Sequence, residues 1–279
     1  MEGFRLGVAG VGGTASAEFT LDRKTARVAR LTVGGSAPDA DDVRLADALP
    51  YRQTTRWPYQ RQAVPVAALR QVTDVAEMGD CHVAFVTTRP KIRGVAKLIA
   101  AGASHNFADH NVFEEFHSLL RFDRKNPAYE RDGLTADTLA SRRAAAWGLR
   151  AGLHPATMRV LVATRLHRVA AATQAALVRR TPVVGLLSAP SHDPQSLFAA
   201  GRVMLRMWLT ATSLGLKVHP MTAAFDNEGT RGPLAEAFGL SAEASLVLCF
   251  RLGHSSPAPR SPRLPVNEFV SDWLTSDAF

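Results

Sequence analysis

Residues 182–225, PVVGLLSAPSHDPQSLFAAGRVMLRMWLTATSLGLKVHPMTAAF, limit what this chain can fold into more than any other stretch. They predict a strand, a loop, a helix and a second short strand, in that order. Residues 182–189 form an apolar run of buried-strand length. Asp193 and Pro194 mark a helix start, the carboxylate as N-cap and the proline at the first helical position. Gly215, after Leu214, suits the left-handed residue that closes a helix. Between Ala199 and Leu214 the only charges are Arg202 and Arg206, one turn apart, so this helix is expected to be buried over most of its surface. Gly201 in its middle costs about 1 kcal/mol against alanine, which points to a close approach by backbone or ligand. By spacing alone the unit suits the core of any α/β protein.

A chain of 279 residues can bury a sizeable core, as one large domain or two small ones. No apolar run reaches the roughly 18–20 residues of a membrane span. The opening MEGFRLGVAG lacks the charged start and unbroken apolar stretch of a secretion signal. Cys81 and Cys249 lie in apolar, strand-like runs, as reduced core thiols do. A cytoplasmic protein without membrane contact is expected. The net charge is +8, yet only five of the 33 basic residues are lysine, and the arginines are scattered. With no basic stripe or recognisable motif, nucleic acid is not expected as a partner. Excess arginine suits an anionic ligand with a phosphate, or codon bias.

Along the chain, Gly10, Gly12 and Ala15 fit the G-x-G-x-x-G/A fingerprint of dinucleotide sites. That fingerprint needs a strand before it, a helix after it and an acid about 20 residues on. Here Asp39 and Asp41 come late, and a Gly-rich helix or turn fits better. Residues 26–33 read as a strand and 41–49 as a short helix. Arg52, Thr54 and Arg56 follow at i, i+2 and i+4, where a helix gives way to an extended, Pro-bounded segment. Two guanidiniums and a hydroxyl there suit a phosphate monoester, and equally a solvated basic turn. Residues 65–79 predict an amphipathic helix with Val66, Leu69, Val72, Val75 and Ala76 inward, and 81–87 a strand. Residues 91–121 read as mostly helical. His110, Glu114 and His117 there could seat a metal, but they lack a sharper signature such as H-E-x-x-H, so solvated or capping histidines fit better. Residues 123–154 read as a polar connector or lid, 157–179 as a helix, 231–240 as a short helix and 245–252 as a strand. The Pro-rich tail carries Arg260 and Arg263. No nucleophile elbow or Walker loop occurs.

Together these pieces resemble the nitroreductase family. Arg52-Gln-Thr-Thr-Arg56, followed by Pro58 and Val64-Pro65, is similar to that family's phosphate-binding opening, usually Arg-Arg-Ser-x-Arg. The block AAGRVMLRMWLTATSLGLKVHPM resembles its central dimer-core helix, its Gly-Leu turn and the Pro-containing loop beside the flavin. FRLG followed by SPRLPVNEF resembles its closing strand and the basic residue that returns to the flavin phosphate. The likeness runs over residues 49–270 and is nearest to the Acg-type branch, in which two nitroreductase-like halves share a chain and a lid can cover the cofactor.

The resemblance implies an α/β (α+β) nitroreductase-like fold, with a central sheet, buried central helices and an inserted lid or connector. Residues 1–48 would be a partial leading half, and residues 49–279 a flavin domain with its lid at about 123–154. The cofactor would be FMN. Arg52, Gln53, Thr54 and Arg56 would hold its phosphate or pyrimidine edge, with Arg260 and Arg263 on the returning tail and Arg263 completing the phosphate cage. Pro220, Met221, Thr222 and Ala223 would face the isoalloxazine, with a backbone N–H of Thr222 or Ala223 toward N5. Hydride would come from NAD(P)H and pass to an electron-poor acceptor by a ping-pong cycle, with no catalytic side chain and no metal. The alternative is a flavin-sequestering protein with a lid-closed site. Gln53 stands where the family has a basic or imidazole residue. The family's Ser-x-x-Asn-x-Gln-Pro-Trp segment is not in this sequence, which reads as starting after it. A homodimer through the central helix is expected, because one copy would leave Met204, Met207 and Trp208 short of cover.

Overall fold

The computed structural model describes residues 1–22, 24–25, 27–77, 79–139, 143–225, 227–265 and 268. The chain begins with α1 (Glu2–Gly10), β1 (Thr14–Asp22), β2 (Arg27–Gly34) and α2 (Ala40–Ala48). A short 3-10 turn, Leu49–Tyr51, leads through an extended segment to α3 (Val66–Glu77), β3 (His82–Val86), α4 (Arg89–Ala108) and α5 (His110–Ser118). Then come β4 (Leu120–Arg121), β5 (Leu134–Thr135), α6 (Ala136–Leu139), α7 (Arg143–Gly152), α8 (Pro155–Ala163) and α9 (His167–Arg179). The last elements are β6 (Val183–Ala189), α10 (Pro194–Ser213), β7 (Lys217–Pro220), α11 (Glu228–Ala237) and β8 (Ser245–Gly253).

The main sheet has the order β3-β6-β8-β7, every pairing antiparallel. Strand β6 is buried at all positions because helices cover both faces. Val183 and Leu187 join Val72 of α3 and Val203 and Met207 of α10 on one face. Val184 and Leu186 join Ile92 of α4, Val178 of α9 and Leu234 of α11 on the other. A strand sandwiched in this way has no polar side to show, so its sequence is a continuous apolar run. Cys81 and Cys249 are buried free thiols, and burial pushes the Cys249 thiol up to about 12.

Helix α10 has the expected ends. The Asp193 carboxylate accepts from the N–H groups of Gln195 and Ser196 at 2.9 and 3.0 Å, and Gly215 closes the helix at φ +73°. The expected close approach at Gly201 is not found: a Cβ there would meet nothing within 4 Å. Gly102 of α4 is the tight position instead, since a Cβ would stand 2.1 Å from the Ala223 carbonyl oxygen.

The N-terminal glycines form no dinucleotide site, because α1 stands where the fingerprint needs a strand and β1 where it needs a helix. Leu6 of α1 and Leu45 and Ala48 of α2 pack on Leu205 and Leu209 of α10. Above this contact Glu2 accepts from Arg5 at 2.8 Å, from Arg202 at 2.8 Å and from Arg206 at 3.1 Å. Asp42 accepts from Arg5 at 2.7 Å and Arg206 at 2.6 Å. The premise offered for a homodimer is therefore corrected. Met207 and Trp208 are buried within one chain, and Met204 packs against the same cluster.

Two long helical stretches divide. Residues 91–121 break at Asp109, whose carboxylate caps α5 at Asn111 and Val112. Residues 157–179 break at Arg165, which has φ +61°. No proline or glycine marks either break, so the apolar period runs straight across both. The connector packs into a separate small core through Leu153, against Phe113 of α5, Leu120 of β4 and Met158 of α8, while residues 140–142 lie outside the described residues. Among the described residues no helix is long and apolar enough to cross a membrane.

Candidate functional site

After the 3-10 turn the chain becomes extended at Arg52 (φ −65°, ψ 124°) and runs briefly beside the edge strand β7. Thr54 forms a parallel bridge with Val218, and the Thr55 N–H donates to the Val218 carbonyl at 3.1 Å. Because the bridge is parallel, residues after Thr54 travel in the direction of Pro220. In an extended segment residues two apart share one side, which puts Arg52 and Thr54 on the same side of the chain, with Arg56 two residues on. Further on, the Gln60 N–H donates to the His254 carbonyl at 2.8 Å and the Ser255 hydroxyl to the Pro58 carbonyl at 3.3 Å. The segment is thus seamed to β7 on one side and to the start of the tail on the other.

The side chains expected in a site divide into three groups. The Arg52 guanidinium lies over the Trp208 ring at 4.9 Å, a cation–π contact. Burial, and then the neighbouring Arg263 guanidinium, lower its pKa below the ordinary arginine range. Arg56 is half-buried, and burial lowers its pKa also. Among the described residues no carboxylate pairs with Arg52, Arg56 or Arg263. Gln53 serves the backbone instead. Its amide Nε2 donates to the Ala258 carbonyl at 3.4 Å, tying the tail that carries Arg263 to the segment that carries Arg52. Arg260 is exposed and makes no ion pair or hydrogen bond among the described residues. The tail expectation extended over SPRLPVNEF, of which 266, 267 and 269 lie outside the described residues.

The loop Pro220–Ala223 leaves β7 at the end toward which the arginine segment runs. The Met221 N–H is already committed to the Cys249 carbonyl at 2.7 Å, which extends the sheet by one bond. The Phe225 N–H then closes a turn on the Thr222 carbonyl at 2.7 Å, and this turn sits on Gly102 of α4. Thr222 is exposed, Ala223 half-buried and Met221 buried. The open part of the loop is therefore Thr222–Ala223.

Three residues were not foreseen: Arg251, His219 and Tyr59. Arg251 is fully buried in the middle of β8. Its Nε lies 3.1 Å from His219 Nδ1, and its guanidinium lies over the Tyr59 ring at 4.5 Å. Burial first, then the Arg251 and Arg56 guanidiniums, hold His219 well below the ordinary imidazole range. An arginine inside SLVLCFRLG, an otherwise apolar strand, was the available signal. His110, considered for a metal, reaches Glu114 at 3.9 Å, and among the described residues no group of three metal-ligating side chains occurs.

The arrangement suits a phosphate on three observations. Arg263 stands close enough to Arg52 to disfavour its charge, neither has an acidic partner among the described residues, and Gln53 fastens their two segments together. An anion placed among them would relieve that repulsion and accept planar, charge-assisted hydrogen bonds.

Several solved structures are similar to this chain. The oxidized iodotyrosine deiodinase bound to FMN and 3-iodo-L-tyrosine is 14% identical, with a TM-score of 0.49 over 79% of this chain and 95% of that one. A nitroreductase with bound FMN from Bacteroides fragilis NCTC 9343 is 14% identical, with a TM-score of 0.46 over 80% and 95%. One with bound FMN from Desulfitobacterium hafniense DCB-2 is 12% identical, with a TM-score of 0.46 over 80% and 94%. No curated protein matches the chain. The Nitroreductase family model matches residues 49–254, from the 3-10 turn that opens the arginine segment through the end of β8, and the chain belongs to that family.

Proposed function

We propose that this protein is an FMN-binding oxidoreductase that draws hydride from NAD(P)H and delivers it to a small electron-poor acceptor by a ping-pong cycle. The observation that carries the reading is the set of arginines without carboxylate partners among the described residues, Arg52, Arg56 and Arg263, beside a loop that leaves the same edge strand. Arg52, Arg56 and Arg263 would hold the phosphate, with Thr54 and Gln53 keeping the two segments in register. Bound there, FMN would supply the hydride chemistry, and the protein would tune and orient it. Thr222 and Ala223 would offer a backbone N–H at the ring edge, a role closed to Met221, whose N–H is spent on Cys249.

A second reading, flavin sequestration with little turnover, is favoured by one specific observation. The connector is fastened at two points near the site. The Trp57 indole N–H donates to the Asp137 carbonyl at 3.0 Å, and Arg131 pairs with Glu268 on the tail. A connector held in this way would act as a lid, as in the Acg-type branch, with residues 1–48 a partial leading half and 49–279 the flavin domain. A cytoplasmic location, and a homodimer argued now from the family resemblance alone, complete the proposal. A wild-type monomer in sedimentation would remove the dimer.

The test is direct. The purified protein reconstituted with FMN is expected to be yellow, to retain FMN in preference to riboflavin, and to bleach with NADPH in the absence of oxygen. Equal retention of FMN and riboflavin would remove the phosphate assignment. A yellow protein that NADPH does not bleach until Trp57→Phe releases the connector would favour sequestration, and one that stays unbleached in both forms would remove the lid as the cause.

A further inference from the structure

Arg251 is a fully buried cation, and no carboxylate among the described residues pairs with it. Its neighbours are acceptors of another kind. One terminal nitrogen lies 3.4 Å from the Leu177 carbonyl of α9. The other lies 3.3, 3.2 and 3.4 Å from the carbonyls of Thr55, Arg56 and Trp57, and 2.8 Å from His219 Nδ1. The Tyr59 ring covers the guanidinium face. All three nitrogens of the planar group thus have acceptors within reach, and most of the partners belong to one run of five residues.

Three consecutive carbonyls cannot converge on one point from a straight strand, because successive carbonyls of a strand point in opposite directions. The chain over Thr55–Trp57 is therefore bent around the guanidinium. These are also the residues that decide where Arg56 leaves the backbone and how the segment carrying Arg52 departs from β7. His219, paired directly with Arg251 across β7 and β8, can accept at Nδ1 only as the neutral tautomer protonated at Nε2. It completes the bracket from the strand that continues into Pro220–Ala223. One guanidinium thereby joins the backbone of the arginine segment to the strand that feeds the loop.

We infer that Arg251 is a positioning residue of the anion site: by gathering the Thr55, Arg56 and Trp57 carbonyls it aims the Arg52 and Arg56 guanidiniums at the phosphate of the cofactor. The inference rests on the phosphate reading proposed above. It differs from a merely structural brace in what is lost when the fork is removed. A brace would weaken the fold, or both flavins alike. A positioning residue loses the preference for the phosphorylated flavin.

The experiment compares FMN and riboflavin binding in wild type, Arg251→Lys, His219→Leu and His219→Gln, by quenching of flavin fluorescence, with circular dichroism as the control for folding. Lysine keeps the charge but cannot reach three carbonyls and an imidazole at once. In Arg251→Lys the preference for FMN should fall by roughly ten-fold or more, the scale of one charge-assisted contact, with riboflavin affinity within about three-fold of wild type. His219→Leu should lose preference in the same sense, and His219→Gln, which restores an acceptor, should recover it. The histidine pair carries the test if Arg251→Lys does not fold. Full FMN preference in the folded variants, or equal loss of both flavins, overturns the inference. A wild type that never prefers FMN overturns the phosphate reading itself, a separate result.

Discussion

Two arginine clusters in this molecule make opposite use of the same side chain. At the junction of α1, α2 and α10, Arg5, Arg202 and Arg206 surround Glu2 and Asp42, so the guanidiniums there neutralise carboxylates and fasten the N-terminal helices to the central one. Along β7 and β8, Arg52, Arg56, Arg251 and Arg263 have no carboxylate among the described residues. Arg52 rests on Trp208, Arg251 on Tyr59 and three carbonyls, and Arg263 beside Arg52. Charge that is already neutralised holds structure together, whereas charge kept in surplus beside a fixed backbone is available to a ligand.

The largest effect that would sharpen this contrast is expected at the paired cluster. Glu2→Ala leaves Arg5 and Arg206 sharing Asp42 and takes from Arg202 the carboxylate it pairs with, and breaking a buried pair costs about 3–5 kcal/mol. The thermal midpoint should fall by roughly 6–15 °C while FMN preference over riboflavin is unchanged. A midpoint within a degree of wild type would mean the network is ornamental.

The unpaired cluster should respond in the reverse sense. Arg56→Ala or Arg263→Ala should weaken FMN by about 1.5–3 kcal/mol, the scale of a hydrogen bond to a charged group, with lysine rescuing only in part. The apo protein should be no less stable, since no ion pair is lost. Unchanged FMN affinity in Arg263→Ala would return the tail to a Pro-rich surface arm.

Acid should separate the two regions by pH window. The Asp42 carboxyl is held at about 2, below its ordinary 3.8, by hydrogen bonds from Arg5 and Arg206 that outweigh its burial. Its share of stability, about 2 kcal/mol, is complete above the ordinary value and is lost as pH falls toward 2. His219 is the earlier loss. Its folded pKa lies below the ordinary imidazole value, so the unfolded chain binds the proton first. Stability then falls below pH 6.5 or so, by up to about 1.4 kcal/mol per pH unit. Urea titrations at pH 7, 5.5 and 3 should show both steps. His219→Gln should remove the first and Asp42→Asn the second.

The smallest effect concerns Gly201, next to Arg202 of the paired network. With nothing within 4 Å of its missing Cβ, Gly201→Ala should stabilise by about 0.5–1 kcal/mol through helix propensity. Destabilisation would show that the helix needs a close approach there after all.

Local chemistry was legible without coordinates. Asp193, Pro194 and Gly215 announce the ends of α10 because caps act within a few residues of themselves. The unbroken apolar run of β6 announces a strand covered on both faces. The spacing of Arg52, Thr54 and Arg56 after a helix end suited an anion site and a solvated basic turn equally. The helix breaks at Asp109 and Arg165 were hidden, because the apolar period continues through both. The partners of α10 were hidden as well. Nothing near Arg202 and Arg206 says that Glu2 and Asp42, from the far end of the chain, will meet them.

By itself, then, the sequence determined the elements whose causes are local: the caps, the buried strand, the central helix and the basic segment after Leu49. Tertiary structure decided which charges are neutralised and which are kept in surplus, because that depends on groups distant along the chain. It made Arg202 and Arg206 part of a closed network and left Arg52 beside Arg263 with no carboxylate among the described residues. It also turned Arg251, one charge in an apolar strand, into the point on which the Thr55–Trp57 backbone is bent. A buried guanidinium without a carboxylate is tolerable only where several backbone carbonyls converge, and only the folded chain supplies that convergence.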